Sequence, residues 1–197
     1  MNMEKKKLRW INDDEPIFIE DTVRNYAHRT WENAEWSDIT LALAVDMSSH
    51  GEKTTRRAAG ERYVGFVLPE DLAGRNLQAL ANAIGRRLRR HPNFKMEGLK
   101  LNIAGNSQIT LDRFGIEISQ VRPLLRCVLQ DLVDEGVDIA MVRSGGQTGV
   151  DEAGIQAAQD VGLRCSVLAP KGFRVHREQG VELEGRAQFV SRFLESE

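Results

Sequence analysis

Residues 137–154 read VDIAMVRSGGQTGVDEAG, and this stretch decides the fold. The apolar run 137–142 predicts a buried strand. From 148 to 161 small and apolar residues recur at helical spacing, which predicts a helix that lies close against a sheet. The glycine-rich residues 144–149 join the two elements. A strand that passes through such a turn into a helix is typical of Rossmann-like proteins.

The neighbouring segments repeat this alternation. Residues 99–104 (LKLNIA) predict a strand, and 119–135 predict a helix with Pro123 in its first turn and Gly136 at its end. Residues 163–169 (LRCSVLA) predict a third strand. Because strands that alternate with helices pair in parallel through right-handed crossovers, we expect an α/β fold. Its core is a Rossmann-like open, mostly parallel sheet with helices on both faces.

The first half of the chain has a less regular pattern. Residues 39–45 and 62–68 predict strands that are candidates for extending the same sheet, and the polar residues 46–60 between them predict a loop. A helix is expected to open at residues 69–71 and to end at His91. We therefore interpret residues 1–97 as an N-terminal α+β extension of unknown role. Residues 98–197 form the Rossmann-like ligand-binding domain, with the seam near 93–98.

Composition limits the classes of partner. The 197 residues carry 27 Lys and Arg against 29 Asp and Glu, a net charge of -2. Attraction to nucleic acid or to an anionic membrane needs a concentrated positive surface, so neither is an expected partner. The basic run at residues 86–90 falls at the predicted end of a helix, where cations offset the helix dipole.

The cysteines and histidines show no ligand spacing. Cys127 and Cys165 form no CxxC pair, and the four histidines are scattered, so we predict no metal site and no cofactor. The lysine-rich start of the chain leads into Asn-Asp-Asp-Glu, which is not the pattern of a signal peptide. The expected location is the cytoplasm.

Three polar turns follow the three strands of the second half. Ligands of open parallel sheets lie beyond the carboxyl ends of the strands, where these turns meet. Glycine lets the backbone approach a ligand closely, and free N–H groups at a helix start attract phosphate. A tight connection capped by Thr148 is the structural alternative. The candidate ligand-binding residues are Gly105, Asn106 and Ser107, then Ser144, Gly145, Gly146, Gln147, Thr148 and Gly149, then Pro170, Lys171 and Gly172.

Two carboxylates follow the glycine turn. Asp151 and Glu152 lie in the first helical turn, where acidic side chains also complement the helix dipole. A structural role is therefore the default for one of them. Two carboxylates beside a phosphate site are unusual, because negative charge repels phosphate unless a carboxylate serves a ribose hydroxyl or a developing cation. Both are candidate catalytic residues.

The motif SGGQTGVDEAG at 144–154, with APKG at 169–172, resembles the SLOG superfamily of DprA-like and Lonely Guy-like Rossmann proteins. By motif it is most similar to the putative molybdenum-cofactor carrier branch, whose turn reads GGQTGxD. The resemblance covers about residues 99–175. It implies a phosphorylated nucleotide-like ligand and a homodimer or a higher homo-oligomer.

Lonely Guy enzymes hydrolyse the N-glycosidic bond of nucleoside monophosphates, and their turn reads GGxGTxxE. The resemblance implies that the glycines hold phosphate and that Glu152 acts at the ribose. The mechanism we expect from it has phosphate on Gly145, Gly146 and Thr148, with Asp151 orienting the attacking water. Arg122 or Arg126 would stand for the arginine of the preceding helix. The alternative is a non-catalytic carrier or sensor of a nucleotide or a molybdopterin-type ligand.

Overall fold

A parallel sheet forms the centre of the computed structural model, which describes residues 15–177, 180–183 and 185–194. Its strands, in chain order, are β1 (Ile17–Glu20), β2 (Ile39–Ala44), β3 (Tyr63–Val67), β4 (Leu99–Gly105), β5 (Ile139–Ser144) and β6 (Cys165–Ala169). Across the sheet they lie in the order β1-β6-β5-β4-β2-β3, and every pair is parallel. A two-stranded antiparallel unit, β7 (Arg174–Arg177) and β8 (Gly180–Leu183), follows. The Rossmann-like α/β fold predicted from the sequence is confirmed.

Helices cover both faces of the sheet. They are α1 (Tyr26–Trp36), α2 (His50–Ala59), α3 (Leu77–Arg89), α4 (Gln108–Asp112), α5 (Ile118–Asp134), α6 (Val150–Asp160) and α7 (Gly185–Ser191). Gly154 of α6 lies so close to Ile103 of β4 that an added β-carbon would come within 2.6 Å of its side chain. The neighbouring Asn102 and Ala104 point to the opposite face, towards α1 and α2. None of the helices in the described ranges is both long and apolar enough to cross a bilayer.

The first half of the chain contributes strands to the same sheet. β2 pairs with β4, β3 forms one edge beside β2, and β1 forms the other edge beside β6. The strands predicted at 39–45 and 62–68 therefore extend the sheet, and segments on both sides of 93–98 share it. Neither β1 nor α1 was predicted from the sequence.

The prediction of a loop at residues 46–60 is wrong, because α2 occupies His50–Ala59. Ser49 caps the helix by accepting the N–H of Glu52 on its side chain. The buried residues of α2 recur at helical spacing but include Glu52 and Thr55, which are polar. The hydrophobic periodicity that predicts helices was therefore missing.

Two helix starts also differ from the prediction. A short 3-10 turn follows residues 69–71, and α3 begins only at Leu77, where the Asn76 side chain accepts the N–H of Ala79. Pro123 is not in the first turn of α5. A reciprocal capping box between Glu117 and Gln120 starts that helix at Ile118, and Pro123, its sixth residue, lies in the second turn.

Gly105 ends β4 where the chain has no room for a side chain. A β-carbon there would lie 1.9 Å from the carbonyl oxygen of Leu43 and 2.9 Å from Cβ of Val150. We expect Gly105→Ala to lower the free energy of unfolding by about 3 kcal/mol, because β2 or α6 must shift. Urea denaturation measures the loss. The matched control is Gly74→Ala, since no described atom lies within 4 Å of that β-carbon position; equal stability of the two variants would contradict the prediction.

Candidate functional site

The turns after β4 and β5 are joined by their backbones. Ser107 and Gly149 form an isolated β-bridge, in which the N–H of Gln108 donates to the Thr148 carbonyl at 3.1 Å. Gly149 has a φ of 97° and approaches residues 106–108 so closely that a β-carbon would lie 2.5 Å from the Gln108 nitrogen. Two of the three predicted turns therefore form one continuous edge at the carboxyl end of the sheet.

The polar side chains of these turns bind mainly to the protein itself. Asn106 accepts the N–H groups of Val45 and Asp46 at 2.8 and 3.0 Å and so fixes the β2–α2 connection. Ser144 is fully buried and its hydroxyl accepts the N–H of Gly146 at 3.3 Å. Asn106 and Ser144, which were predicted to bind ligand, therefore form hydrogen bonds that stabilise the protein's own turns.

Asp151 turns back into the glycine turn. Its carboxylate accepts the N–H of Gln147 at 3.4 Å, and the N–H of Gly145 also stabilises its charge. Burial raises the pKa of Asp151 to about 7, against the opposing effects of Arg29 and these backbone groups. A carboxyl group that titrates near neutral pH suits general acid–base catalysis.

Arg29 of α1 is a cation that interacts with the Asp151 carboxylate, and it was not predicted from the sequence. It is only 4% exposed, and its Nε and Nη1 atoms have no hydrogen-bond partner among the described residues. Burial lowers the pKa of Arg29, while Asp151 opposes that effect. A buried guanidinium with open donors is suited to an anionic ligand.

A basic cavity of about 180 Å³ opens beside Arg29. Its described lining contains no Asp or Glu. Lys171 donates to the Thr22 carbonyl and the Gly172 N–H donates to Glu20, both at 2.8 Å, so the third predicted turn is anchored to the end of β1 and the residues after it. The polar lining of this basic cavity is Arg24, Asn25, Tyr26, Arg29, Gln147, Lys171 and Arg174.

A second, much smaller cavity adjoins the basic cavity. This polar recess has a volume of about 20 Å³ and is lined in part by Asn33 of α1, Asn102 of β4 and Asp151. Tyr26 and Arg29 line both cavities. The carboxylate with the shifted pKa therefore lies at one end of a cleft whose other end is strongly positive.

Glu152 lies away from this cleft. Successive residues of a helix point about 100° apart, and Glu152 faces α5 and the residues after α7, where it forms an ion pair with Arg192. It lines a separate cavity of about 470 Å³ together with Arg122 and Arg126. The structure thus separates the two candidate carboxylates and groups the candidate arginines with Glu152.

Among the described residues, neither the Cys165 thiol nor a metal centre adds a reactive group. Burial raises the pKa of the Cys165 thiol to about 12, so it remains protonated at neutral pH. Among the described residues, no cluster of three or more His, Cys, Asp or Glu side chains could hold a metal ion.

No protein-family model matches the sequence, and no curated protein matches it. The fold is a Rossmann-like α/β sheet.

Proposed function

We propose that the protein binds a nucleoside 5'-phosphate in the cleft formed by the basic cavity and the polar recess, and hydrolyses its N-glycosidic bond. The observation that carries the proposal is the juxtaposition of buried Arg29, which has two unpaired donor atoms, and Asp151, with a pKa of about 7. One group suits a phosphate and the other suits proton transfer.

The phosphate binds in the basic cavity. Four cations from three segments converge there: Arg24 precedes α1, Arg29 lies within it, and Lys171 and Arg174 follow β6. Guanidinium groups bind phosphate through charge-assisted hydrogen bonds, which strengthen away from water. The intramolecular bonds of Gly145, Gly146 and Gln147 favour this location over the glycine turn itself. In this proposal the turn holds Asp151 and the cations hold phosphate.

Tyr26 supports a nucleotide over a simple phosphate. Its side chain lines both cavities and is 40% exposed, and the Arg29 guanidinium lies 5.5 Å from its ring centroid. An exposed ring at the mouth of a phosphate site gives a nucleobase a surface on which to stack. The resemblance to SLOG proteins supports the same ligand class.

Asp151 is the proposed catalytic residue. In its ionised form it accepts a proton from water as the water oxygen bonds to the anomeric carbon. The bond from that carbon to the base nitrogen breaks, and the base leaves with the electron pair. Arg29 stays close to Asp151 and to the phosphate, so it couples the two ends of the cleft electrostatically.

Titration calorimetry with AMP, followed by chromatographic detection of adenine, tests the proposal. We expect saturable binding, competition by inorganic phosphate and release of adenine. Absence of AMP binding contradicts the proposed function. A carrier or sensor is the second candidate, favoured by the bonds that Asp151 makes within its own turn; it requires the same binding with no release of adenine.

Glu152→Gln should leave both AMP affinity and adenine release unchanged, because Glu152 lines a different cavity. It should lower the free energy of unfolding by about 1–3 kcal/mol, since Glu152 and Arg192 are each only 13% exposed. Thermal denaturation and the adenine assay, run on the same preparation, separate the two effects. A large loss of adenine release at unchanged stability would instead assign the catalytic role to Glu152.

A further inference from the structure

The polar recess is large enough to hold a water molecule. Its volume of about 20 Å³ exceeds the roughly 10–15 Å³ that a single water requires. It lies where α1 and α2 cover the carboxyl ends of β4 and β5, and Thr55 and Gly145 complete its wall.

Two residues that line the recess carry buried acceptors with no hydrogen-bond partner among the described residues. They are the side-chain oxygens of Asn33, which is 4% exposed, and Asn102, which is 2% exposed. Asn102 donates from Nδ2 to the Thr40 hydroxyl at 3.2 Å, which fixes its amide and leaves the oxygen as the open atom. Both atoms require an O–H or N–H donor, because a buried acceptor without one costs free energy.

Asp151 and Arg29 supply further polar groups on the same wall. A β-carbon at Gly145 would lie 2.8 Å from Oδ2 of Asp151 and 3.5 Å from Nδ2 of Asn33, so both side chains meet where glycine leaves space. A buried water commonly makes two to four hydrogen bonds, and the recess offers that number.

We propose that this recess holds the water molecule that attacks the anomeric carbon, with Asn33 and Asn102 as positioning residues; the inference rests on the function proposed above. The two amide oxygens share one hydrogen of the water, and Asp151 accepts the other and removes it as the water oxygen bonds to carbon. The departing base keeps the electron pair of the broken bond and takes a proton from solvent, to which Asp151 returns its own.

The location of the recess fits that role. It shares Tyr26 and Arg29 with the basic cavity, so a phosphate on Arg29 leaves the sugar between the cations and the recess. The water then lies on the inner side of the sugar. The base leaves on the side of Tyr26 and solvent.

The test combines a crystal structure at high resolution with the kinetics of three variants. Asn33→Leu and Asn102→Leu keep the approximate volume and remove the acceptor. Asn82→Leu on the exposed surface of α3 is the matched control. We expect a water peak in the recess of the wild-type protein, and kcat for AMP lower by about 100-fold in either recess variant, with KM nearly unchanged. The control should retain both constants.

The outcomes separate the two proposals. AMP that binds and is hydrolysed by Asn33→Leu and Asn102→Leu at the wild-type kcat contradicts the water site alone, as does a recess without a water peak. A rise in KM without a fall in kcat shows that the asparagines bind ligand, which also overturns the inference. Wild-type protein that does not bind AMP contradicts the proposed function, and wild-type protein that binds AMP without releasing adenine contradicts both hydrolysis and the attacking water. If Asn33→Leu does not fold, Asn102→Leu carries the test.

Discussion

Replacing Arg29 with methionine is expected to weaken AMP binding by about 100-fold or more, without destabilising the unliganded protein at pH 6. The loss of affinity follows from removing a desolvated cation that meets a phosphate, an interaction worth about 2–5 kcal/mol. The stability is retained because the buried charge of Arg29 is unfavourable in the cleft without a ligand. Arg29 is buried with two open donor atoms, so the protein bears the cost of desolvating the charge.

The pH of this experiment matters because Arg29 also stabilises ionised Asp151. Burial raises the pKa of Asp151 to about 7, so at pH 6 most of the carboxyl groups are protonated and lose little when Arg29 is removed. Calorimetric titration gives the affinity, and urea denaturation gives the stability. Arg86→Met, on the exposed end of α3, is the control for removing one positive charge. Equal AMP affinities for the Arg29 and Arg86 variants would rule out Arg29 as the phosphate ligand.

Asp151→Asn is expected to reduce adenine release by about 1,000-fold while AMP affinity changes by less than about threefold. General-base catalysis contributes about 10²–10⁴ to a rate, and asparagine cannot take up the proton. In the wild-type protein the base is active only when Asp151 is ionised. Its kcat should therefore rise with pH through about 7 and level off above it. A pH-independent kcat, or a variant with wild-type turnover, would exclude Asp151 as the base.

Asp151→Asn is also expected to stabilise the folded protein, although it reduces adenine release. Burial raises the pKa of Asp151 from 3.8 in its ordinary state to about 7 in the folded protein. The folded state therefore holds this proton more tightly than the unfolded state, and stability falls as pH rises between about 4 and 7. Asparagine carries no charge, so the variant should gain on the wild type over this range, by up to about 4 kcal/mol at pH 8. Denaturation at pH 4 and at pH 8 measures the change, and a constant difference would argue against the raised pKa.

The sequence predicted the second half of the fold well because its buried positions are apolar. β4, α5, β5, α6 and β6 all follow from hydrophobic runs bounded by glycine. In the first half β2 and β3 were predicted for the same reason. α2 was missed because Glu52 and Thr55 occupy its buried face, where periodicity analysis expects apolar residues.

The candidate site was predicted only in part. The glycine turn lies at the carboxyl edge of the sheet as expected. Nucleotide binding, which its sequence motif implies, remains a prediction. The importance of Arg29 could not be predicted, because an arginine in a polar segment gives no sign in sequence that it will be buried beside Asp151. Asp151 and Glu152 are adjacent in sequence, and only the rotation of α6 shows that they face different cavities.

The pairing of β1 with β6 has a consequence for how the protein is made. Lys171, near the end of the chain, donates to the Thr22 carbonyl, and the basic cavity combines residues 23–29 with residues 170–174. While the chain emerges from a ribosome, β1 has no partner until residues 165–169 have been synthesised. Long-range parallel pairing of this kind is slow to form. The basic cavity of a nascent chain is therefore incomplete until residues 170–174, which follow the last strand of the sheet, have been translated.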